Sequence, residues 1–242
     1  MARVAIVTGG SRGIGEAISL ALQEAGVTVA ANYAGNEEKA NAFTERTGIK
    51  SYKWDVGDFD ACAAGVAQVE AELGPVDILV NNAGITRDGT ILKMSREMWE
   101  DVIRINLGGC FNMAHATFPG MRNRKWGRIV NIGSINGQAG QYGQVNYAAA
   151  KSGIHGFTKA LAQEGARAGV TVNAIAPGAF PTDAEKIHPD PAGYERMVLD
   201  AQSIKRRGNA GDIANAIAFF ASDDSGFITG QTLHVNGGWV MS

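Results

Sequence analysis

Short apolar runs rich in β-branched residues alternate with longer stretches of helical periodicity along the chain. Such unbroken runs are typical of strands that are buried on both faces of a parallel sheet. Strands are predicted at 4–7, 28–31, 78–80, 128–132, 171–175 and 232–235. Helices are predicted near 14–25, 36–48, 58–73, 96–121, 146–168 and 210–222. The pattern therefore indicates an α/β fold in which helices cover both faces of a doubly wound parallel sheet.

Residues 179–209 interrupt this alternation. They contain Pro181, Pro189 and Pro191 in a polar stretch that is long for a loop between a strand and a helix. Because ligands of doubly wound sheets bind beyond the carboxyl ends of the strands, we expect this segment to be an irregular insertion that covers a substrate. No linker, repeat or low-complexity tract divides the chain, so we expect residues 1–242 to form a single domain.

The composition narrows the possible functions. With 45% apolar residues, 19% charged residues and a formal net charge of −2, the chain is typical of a globular protein and lacks a nucleic-acid footprint. The two cysteines, Cys62 and Cys110, and four scattered histidines predict neither a disulfide framework nor a metal site. The first residues form an apolar strand without a charged leader, and no apolar run approaches the roughly 20 residues of a membrane span. We therefore expect a cytoplasmic protein with no membrane partner.

A glycine-rich loop directly follows the first predicted strand. It reads Thr8-Gly9-Gly10-Ser11-Arg12-Gly13-Ile14-Gly15 and is followed by a helical pattern. Gly9, Gly13 and Gly15 permit a tight turn, and the helix N-terminus that they open can hold a pyrophosphate. This strand, loop and helix predict a Rossmann-type dinucleotide site.

The end of the second strand indicates which dinucleotide is bound. A site for NAD normally has an acidic residue there, which binds the ribose 2′-hydroxyl. This strand instead ends in Asn32 and Tyr33. Arg12 could supply the cation that a 2′-phosphate requires, with Asn32 and Ser11 as neutral hydrogen-bonding partners, although Arg12 could also be a solvated loop arginine. We expect NADP(H) as the cofactor.

Tyr147 and Lys151 are four residues apart in a predicted helix, which places them on one face, one turn apart. An ammonium beside a phenol stabilises the phenolate, so this tyrosine could exchange a proton with a substrate at neutral pH. Ser134, at the end of a predicted strand, could donate a hydrogen bond to the substrate oxygen. The spacing alone also occurs by chance, as a half-buried tyrosine beside a solvated lysine.

Taken together, these motifs resemble the classical short-chain dehydrogenases/reductases over essentially the whole chain. The matching positions are the loop at 8–15, Asp55-Val56, Asn81-Asn82-Ala83-Gly84, Asn106, Ser134, Tyr147, Lys151 and Pro177-Gly178. The resemblance implies that Asp55 and Val56 contact adenine, and that Asn82, Ala83 and Gly84 line the cofactor. It also implies that Asn106 holds a water linked to Lys151, and that Pro177, Gly178 and Thr182 fix the nicotinamide amide.

Within this family, residues 1–178 look most like 3-oxoacyl thioester reductases, and particularly acetoacetyl-CoA reductases. By that likeness Gln141, Tyr142 and Gln144 line the acetoacetyl pocket. On physical grounds the amides of Gln141 and Gln144 could either orient a second carbonyl or hydrogen-bond the loop backbone. The sequence after Pro177-Gly178 departs from the usual pattern, because a tyrosine that closes over the substrate is replaced and Phe180 is the nearest aromatic residue.

The resemblance implies that Asn106, Ser134, Tyr147 and Lys151 catalyse NADPH-dependent reduction of a 3-oxoacyl thioester to the 3-hydroxyacyl product. The altered segment favours, as an alternative, a secondary-alcohol dehydrogenase or ketone reductase acting on a small ketone without a thioester. A regulatory protein that has lost catalysis is disfavoured because the four residues are intact. The apolar C-terminus would be a liability on a monomer, and relatives of this type pack such ends in homotetramers, so we expect a homotetramer.

Overall fold

The computed structural model describes residues 2–181 and 190–241. Its strands are β1 (Val4–Thr8), β2 (Thr28–Tyr33), β3 (Lys50–Lys53), β4 (Val76–Asn81), β5 (Gly127–Ile132), β6 (Val170–Pro177) and β7 (Thr232–Val235). They form one seven-stranded sheet in the order β3-β2-β1-β4-β5-β6-β7, and every neighbouring pair is parallel. The predicted α/β fold with a doubly wound parallel sheet is confirmed.

Helices connect the strands and cover both faces of the sheet. In the described residues they are α1 (Gly13–Glu24), α2 (Glu37–Thr47), α3 (Phe59–Leu73), α4 (Arg96–Val102), α5 (Gly109–Arg124), α6 (Asn136–Ala139), α7 (Val145–Ala166), α8 (Pro191–Ala201) and α9 (Ala210–Ala221). A π-helical segment, Ile103–Gly108, joins α4 to α5. The chain between 96 and 124 is thus continuous but changes its helical geometry in the middle.

Strand β3 and helix α8 were not predicted from the pattern. Strand β3 lies at the edge of the sheet and buries only Tyr52 fully. Its two lysines interrupt the apolar run that is typical of a buried strand. The prediction that 179–209 is irregular was wrong for its second half, because Pro191 occupies the first turn of α8, where proline is well tolerated. The Asp190 side chain accepts a hydrogen bond from Gly193 N and caps this helix.

The strands are apolar on both sides because each face is covered by different helices. On one face, Val7 packs in a cluster with Ile18 of α1 and Ile217 of α9. On the other face, Ile6 packs in a cluster with Val66 of α3. Each of these side chains is at most 3% exposed. Burial on both faces explains why the sequence shows continuous apolar runs and no alternation.

The strand order reverses between β1 and β4, which opens a crevice at the carboxyl ends of these strands. The loops that leave them are tied together by Thr8, whose Oγ1 accepts hydrogen bonds from the backbone N of Asn82 (2.9 Å) and Ala83 (3.0 Å). The Asn82 amide in turn donates to the Thr8 carbonyl over 2.8 Å. Gly9, Asn82 and Ala83, which were predicted to bind the cofactor, meet at this crevice.

Candidate active site

The glycine loop between β1 and α1 has the geometry of a backbone cradle. Gly9 and Gly13 adopt φ values of +62° and +55°, in the left-handed region that favours glycine. A Cβ atom on Gly15 would lie 2.0 Å from the Gly9 carbonyl oxygen. The loop therefore closes only with glycine at position 15.

Helix α1 begins without a side-chain cap. Arg12 occupies the N-cap position, and its side chain makes no capping hydrogen bond. By contrast, Asn36, Asp58, Ser95 and Asn209 accept hydrogen bonds from the first turns of α2, α3, α4 and α9. The amide groups and the positive dipole end of α1 are thus available to an anion such as a pyrophosphate. These features fit the cofactor predicted for the loop.

The residues predicted to select the dinucleotide lie around this loop. Arg12 is exposed and makes no salt bridge within the described part of the chain. Ser11 is 7% exposed and Asn32 only 2% exposed. The Asn32 amide donates to the Trp54 carbonyl over 2.9 Å and so joins β2 to the end of β3. Arg12 is free to reach a ligand. The Asn32 NH2 group also donates to the Tyr33 carbonyl over 3.4 Å, so only its side-chain carbonyl oxygen is left for a ligand.

Asp55, predicted beside the adenine, is held by two partners. Its carboxylate accepts hydrogen bonds from the Gly57 backbone and from Arg104, both over 2.8 Å. Partial burial acts to raise the pKa of Asp55, but the hydrogen bonds from Arg104 and Gly57 outweigh it and lower the pKa. Arg104 belongs to the π-helical segment, so it connects this loop to the part of the chain that carries Asn106.

Val56, which was also predicted beside the adenine, is 5% exposed and packs in the core against Gly109.

Tyr147 and Lys151 lie one turn apart on α7, as predicted. The Lys151 Nζ is 5.5 Å from the centre of the Tyr147 ring and donates a hydrogen bond to the Ile132 carbonyl over 2.6 Å. Lys151 is 4% exposed. Its ammonium is therefore held between the tyrosine and the end of β5.

Asn106 lies on the π-helical segment, a geometry that is frequent at functional sites. Its side chain is 1% exposed, accepts a hydrogen bond from Ile85 N (2.8 Å) and donates one to Ile85 O (2.9 Å). A Cβ atom on Gly84 would lie 3.2 Å from Asn106 Oδ1 and 3.8 Å from Lys151 Nζ. The structure thus brings Asn106 and Lys151 together around Gly84. The Asn106 side chain is hydrogen-bonded to the backbone of Ile85.

The main-chain carbonyl of Asn106 accepts a hydrogen bond from the Cys110 thiol over 3.2 Å. Burial raises the pKa of Cys110 to about 11, with the charge of Lys151 acting in the opposite direction. The thiol consequently remains a protonated donor at neutral pH.

Ser134 lies just beyond the end of β5 and is 8% exposed. Its Oγ accepts a hydrogen bond from Asn136 N over 3.1 Å. The neighbouring residue Ile135 donates to the Pro177 carbonyl over 3.1 Å, which ties the ends of β5 and β6 together. A Cβ atom on Gly178 would lie 2.9 Å from the Asn236 Cα, so this position also requires glycine.

The three predicted substrate residues of the 136–144 loop differ in their surroundings. Tyr142 is 90% exposed, whereas Gln144 is 8% exposed. Gln144 accepts from Asn136 Nδ2 (2.9 Å) and donates to Asp88 (3.0 Å). Gln141 is exposed and accepts from the same Asn136 amide over 2.8 Å. Gln144 therefore uses its amide within the loop, while Tyr142 and Gln141 remain accessible.

Phe180 lies elsewhere. It is 8% exposed and packs in the core with Ile175, Ile213 and Ile217, and a Cβ atom on Gly208 would lie 2.6 Å from its ring. Contact with a substrate would require the ring to leave this cluster. Thr182 lies outside the described residues.

Comparison with known proteins identifies the family. A family model described as enoyl-(acyl carrier protein) reductase matches residues 9–240. The chain belongs to the short-chain dehydrogenase/reductase family. This short-chain dehydrogenase/reductase is accordingly an oxidoreductase that uses a nicotinamide cofactor, and the uncapped helix α1 and its glycine cradle fit that cofactor.

Several relatives are similar over nearly their whole length. An acetoacetyl-CoA reductase of Paracoccus denitrificans is 60% identical over 239 residues, covering 98% of each chain. An acetoacetyl-CoA reductase of Rhizobium meliloti is 58% identical over 238 residues, again covering 98% of each chain. A 3-oxoacyl-[acyl-carrier-protein] reductase of Staphylococcus aureus is 44% identical over 246 residues, covering 100% of this chain and 99% of the other.

Sequence reasoning missed several contributors to the site. Asp88, Asn136 and Arg104 hold predicted site residues in place through hydrogen bonds to Gln144, Ser134 and Asp55. Asp88 and Arg104 are 56 and 49 positions from their partners, so no local spacing could reveal them, whereas Asn136 is only two positions from Ser134. Within residues 2–181 and 190–241, no helix combines the length and the hydropathy that crossing a membrane requires.

Proposed function

We propose that this enzyme is a single-domain NADPH-dependent reductase of a 3-oxoacyl thioester of the acetoacetyl-CoA type, giving the 3-hydroxyacyl thioester. The observation that carries the proposal is the position of Lys151, whose Nζ donates to the Ile132 carbonyl, two residues before Ser134, and lies 5.5 Å from the centre of the Tyr147 ring. The proposal is supported by 60% identity to an acetoacetyl-CoA reductase over 98% of the chain.

The chemistry follows from the donors that surround the expected position of the ketone oxygen. Bound NADPH would supply the hydride that reduces the carbonyl carbon. Tyr147 Oη donates the proton that completes the hydroxyl group. Ser134 Oγ–H stabilises the developing alkoxide as an oriented donor, and the ammonium of Lys151 stabilises the resulting tyrosinate. Asn106 belongs to the path that returns a proton from solvent to Lys151.

The cofactor preference for NADPH is supported by two features. The end of β2 carries no carboxylate, because Asn32 and Tyr33 occupy the position where an acid would repel a 2′-phosphate. Arg12 is exposed at the start of α1 and makes no salt bridge in the described part of the chain. A guanidinium in this position can pair with a 2′-phosphate.

The second carbonyl of a 3-oxoacyl thioester requires a hydrogen-bond donor. Gln141 Oε1 accepts from Asn136, so its Nε2 group is left for an external acceptor. Tyr142, which is 90% exposed, would cover the acyl chain. The sequence Ala179-Phe180-Pro181 favours a second candidate, the reduction of a small ketone without a thioester.

Exposed apolar side chains support a homotetramer. Strand β7 is an edge strand with Leu233 41% exposed, and Phe219 on the neighbouring helix α9 is 43% exposed. Phe59 and Phe111 stack on the opposite part of the surface and are 44% and 50% exposed. Further copies of the chain would cover the exposed strand edge and the two apolar patches. Light scattering would test this by measuring the mass of the assembly.

Initial rates with NADPH or NADH, against acetoacetyl-CoA or a small ketone, test the proposed function. We expect kcat/KM to be highest with NADPH and acetoacetyl-CoA. Activity on the free ketone alone would instead favour the second candidate, and a preference for NADH would contradict the cofactor proposal.

A further inference from the structure

Two amide side chains connect Asp88 to the predicted catalytic serine. The Asp88 carboxylate accepts a hydrogen bond from Gln144 Nε2 over 3.0 Å. Gln144 Oε1 accepts one from Asn136 Nδ2 over 2.9 Å. The Asn136 backbone N–H then donates to Ser134 Oγ over 3.1 Å. These four residues, here called the Asp88 chain, join the loops that follow β4 and β5 to the start of α7.

The negative charge at one end fixes the direction of the two side-chain hydrogen bonds in the Asp88 chain. A carboxylate only accepts, so Gln144 must turn its NH2 group towards Asp88. Its carbonyl oxygen then faces Asn136, which must present its own NH2 group. Gln144 is 8% exposed, so a reversed amide could not be compensated by bulk water without cost.

The direction of the last hydrogen bond matters for catalysis. Because Ser134 Oγ accepts from Asn136 N, its own hydrogen is left to point elsewhere. The expected substrate oxygen needs such a donor. The Asn136 backbone N–H thus leaves the Ser134 hydroxyl to donate to substrate, and the side-chain hydrogen bonds of the Asp88 chain hold Asn136 in this position.

Backbone contacts hold the Asp88 segment against the Gln144 segment. Gly89 N donates to Gly143 O over 2.8 Å, and Gly89 pairs with Gln144 in an isolated parallel bridge. Asn146 Nδ2 donates to the carbonyls of Arg87 (2.9 Å) and Met98 (3.1 Å). Gln144 therefore lies at a fixed place directly before α7, the helix that carries the predicted catalytic tyrosine and lysine.

We propose that Asp88 and Gln144 are positioning residues that orient Ser134 through Asn136. The catalytic consequence rests on the proposed function, whereas the orientation itself does not. Neither side chain needs to touch the substrate for this role. It differs in this respect from the predicted contact of Gln144 with the acyl group.

Moving the carboxylate from position 88 to position 144 tests the proposal. Gln144→Glu places a second carboxylate next to Asp88 and removes the donor, so we expect kcat to fall by at least about tenfold, with NADPH affinity kept. Adding Asp88→Asn supplies an NH2 group to the introduced carboxylate, and we expect the double variant to recover to within about threefold of wild type. Gln138→Glu, at an exposed amide of the same loop, is the matched control and should leave kcat unchanged.

Amide hydrogen exchange at Asn136 gives a second measurement that does not depend on the substrate. Exchange should accelerate in Gln144→Glu and slow again in the double variant, because this N–H donates to Ser134. Asp88→Ala, which changes an exposed side chain, should accelerate the same exchange if Gln144→Glu folds poorly. A double variant no better than Gln144→Glu in both measurements would overturn the proposal. If the wild-type enzyme reduced only a free ketone, the proposed thioester function would fail. The same set of variants would then be measured with that ketone, which tests the positioning proposal separately.

Discussion

The Lys151 ammonium donates a hydrogen bond over 2.6 Å to the carbonyl of Ile132, the last residue of β5. This contact connects the helix that carries Tyr147 to the strand that ends just before Ser134. It also explains why a charged side chain that is only 4% exposed is tolerated here, since a buried charge must be compensated by polar partners.

Replacing Lys151 by Met should therefore remove activity without unfolding the protein. The methionine has a similar length, but it cannot stabilise a tyrosinate or donate to Ile132. We expect kcat to fall by at least about a hundredfold, the usual scale for loss of assisted proton transfer. Steady-state kinetics together with a thermal melt would measure both effects, and near-normal kcat would exclude Lys151 from proton transfer.

The glycine cradle predicts different costs for two substitutions in one loop. Gly15→Ala would place Cβ 2.0 Å from Gly9 O and must displace backbone. Gly13→Ala meets no atom within 4 Å and only forces alanine into a left-handed conformation, which costs about 1 kcal/mol. We expect Gly15→Ala to lower the free energy of unfolding clearly more than Gly13→Ala in denaturant titrations. Equal losses would contradict the closed loop geometry.

Arg12 should determine the preference for NADPH. Arg12→Ala removes the cation proposed for the 2′-phosphate, so we expect the KM for NADPH to rise by about tenfold, the scale of a charge-assisted hydrogen bond. The KM for NADH should hardly change, because NADH lacks this phosphate. Arg96→Ala, at another exposed arginine, is the control. An equal increase for both cofactors would assign Arg12 to the pyrophosphate or to the loop.

Because of His155, we expect the free energy of unfolding to decrease in mild acid. Burial lowers the pKa of His155, and the charges of His234, Lys159 and Lys151 act in the same direction. The unfolded chain, with a histidine pKa of about 6.5, then binds more protons than the folded one as the pH falls. The contribution of neutral, buried His155 to the free energy of unfolding is thus present above about pH 6.5 and is lost as the pH falls below it.

His155→Gln should flatten this part of the pH profile, because glutamine does not titrate but can still reach Thr232, which now lies 3.2 Å from His155 Nδ1. Denaturant titrations from neutral pH to mild acid would measure the difference. An unchanged slope in the variant would assign the acid sensitivity to other groups.

The sequence predicted six of the seven strands, the glycine loop and the Tyr147–Lys151 pair because each leaves a local pattern in the chain. It did not predict the π-helical segment at Asn106 or the burial of Phe180, since both depend on tertiary packing. Nor did it assign Gln144 to an internal hydrogen-bond chain, because the partner Asp88 is 56 positions away. Long-range polar pairing leaves no periodic trace in a single sequence.

The most direct test of the proton-donor role is the rate of NADPH oxidation by Tyr147→Phe in the presence of acetoacetyl-CoA. Phenylalanine keeps the ring beside Lys151 but lacks the hydroxyl group, so we predict a loss of at least about a thousandfold in kcat. The dissociation constant for NADPH should stay within about threefold of wild type, because the phosphate cradle is untouched. Turnover near the wild-type rate would contradict the assignment of Tyr147 as the proton donor.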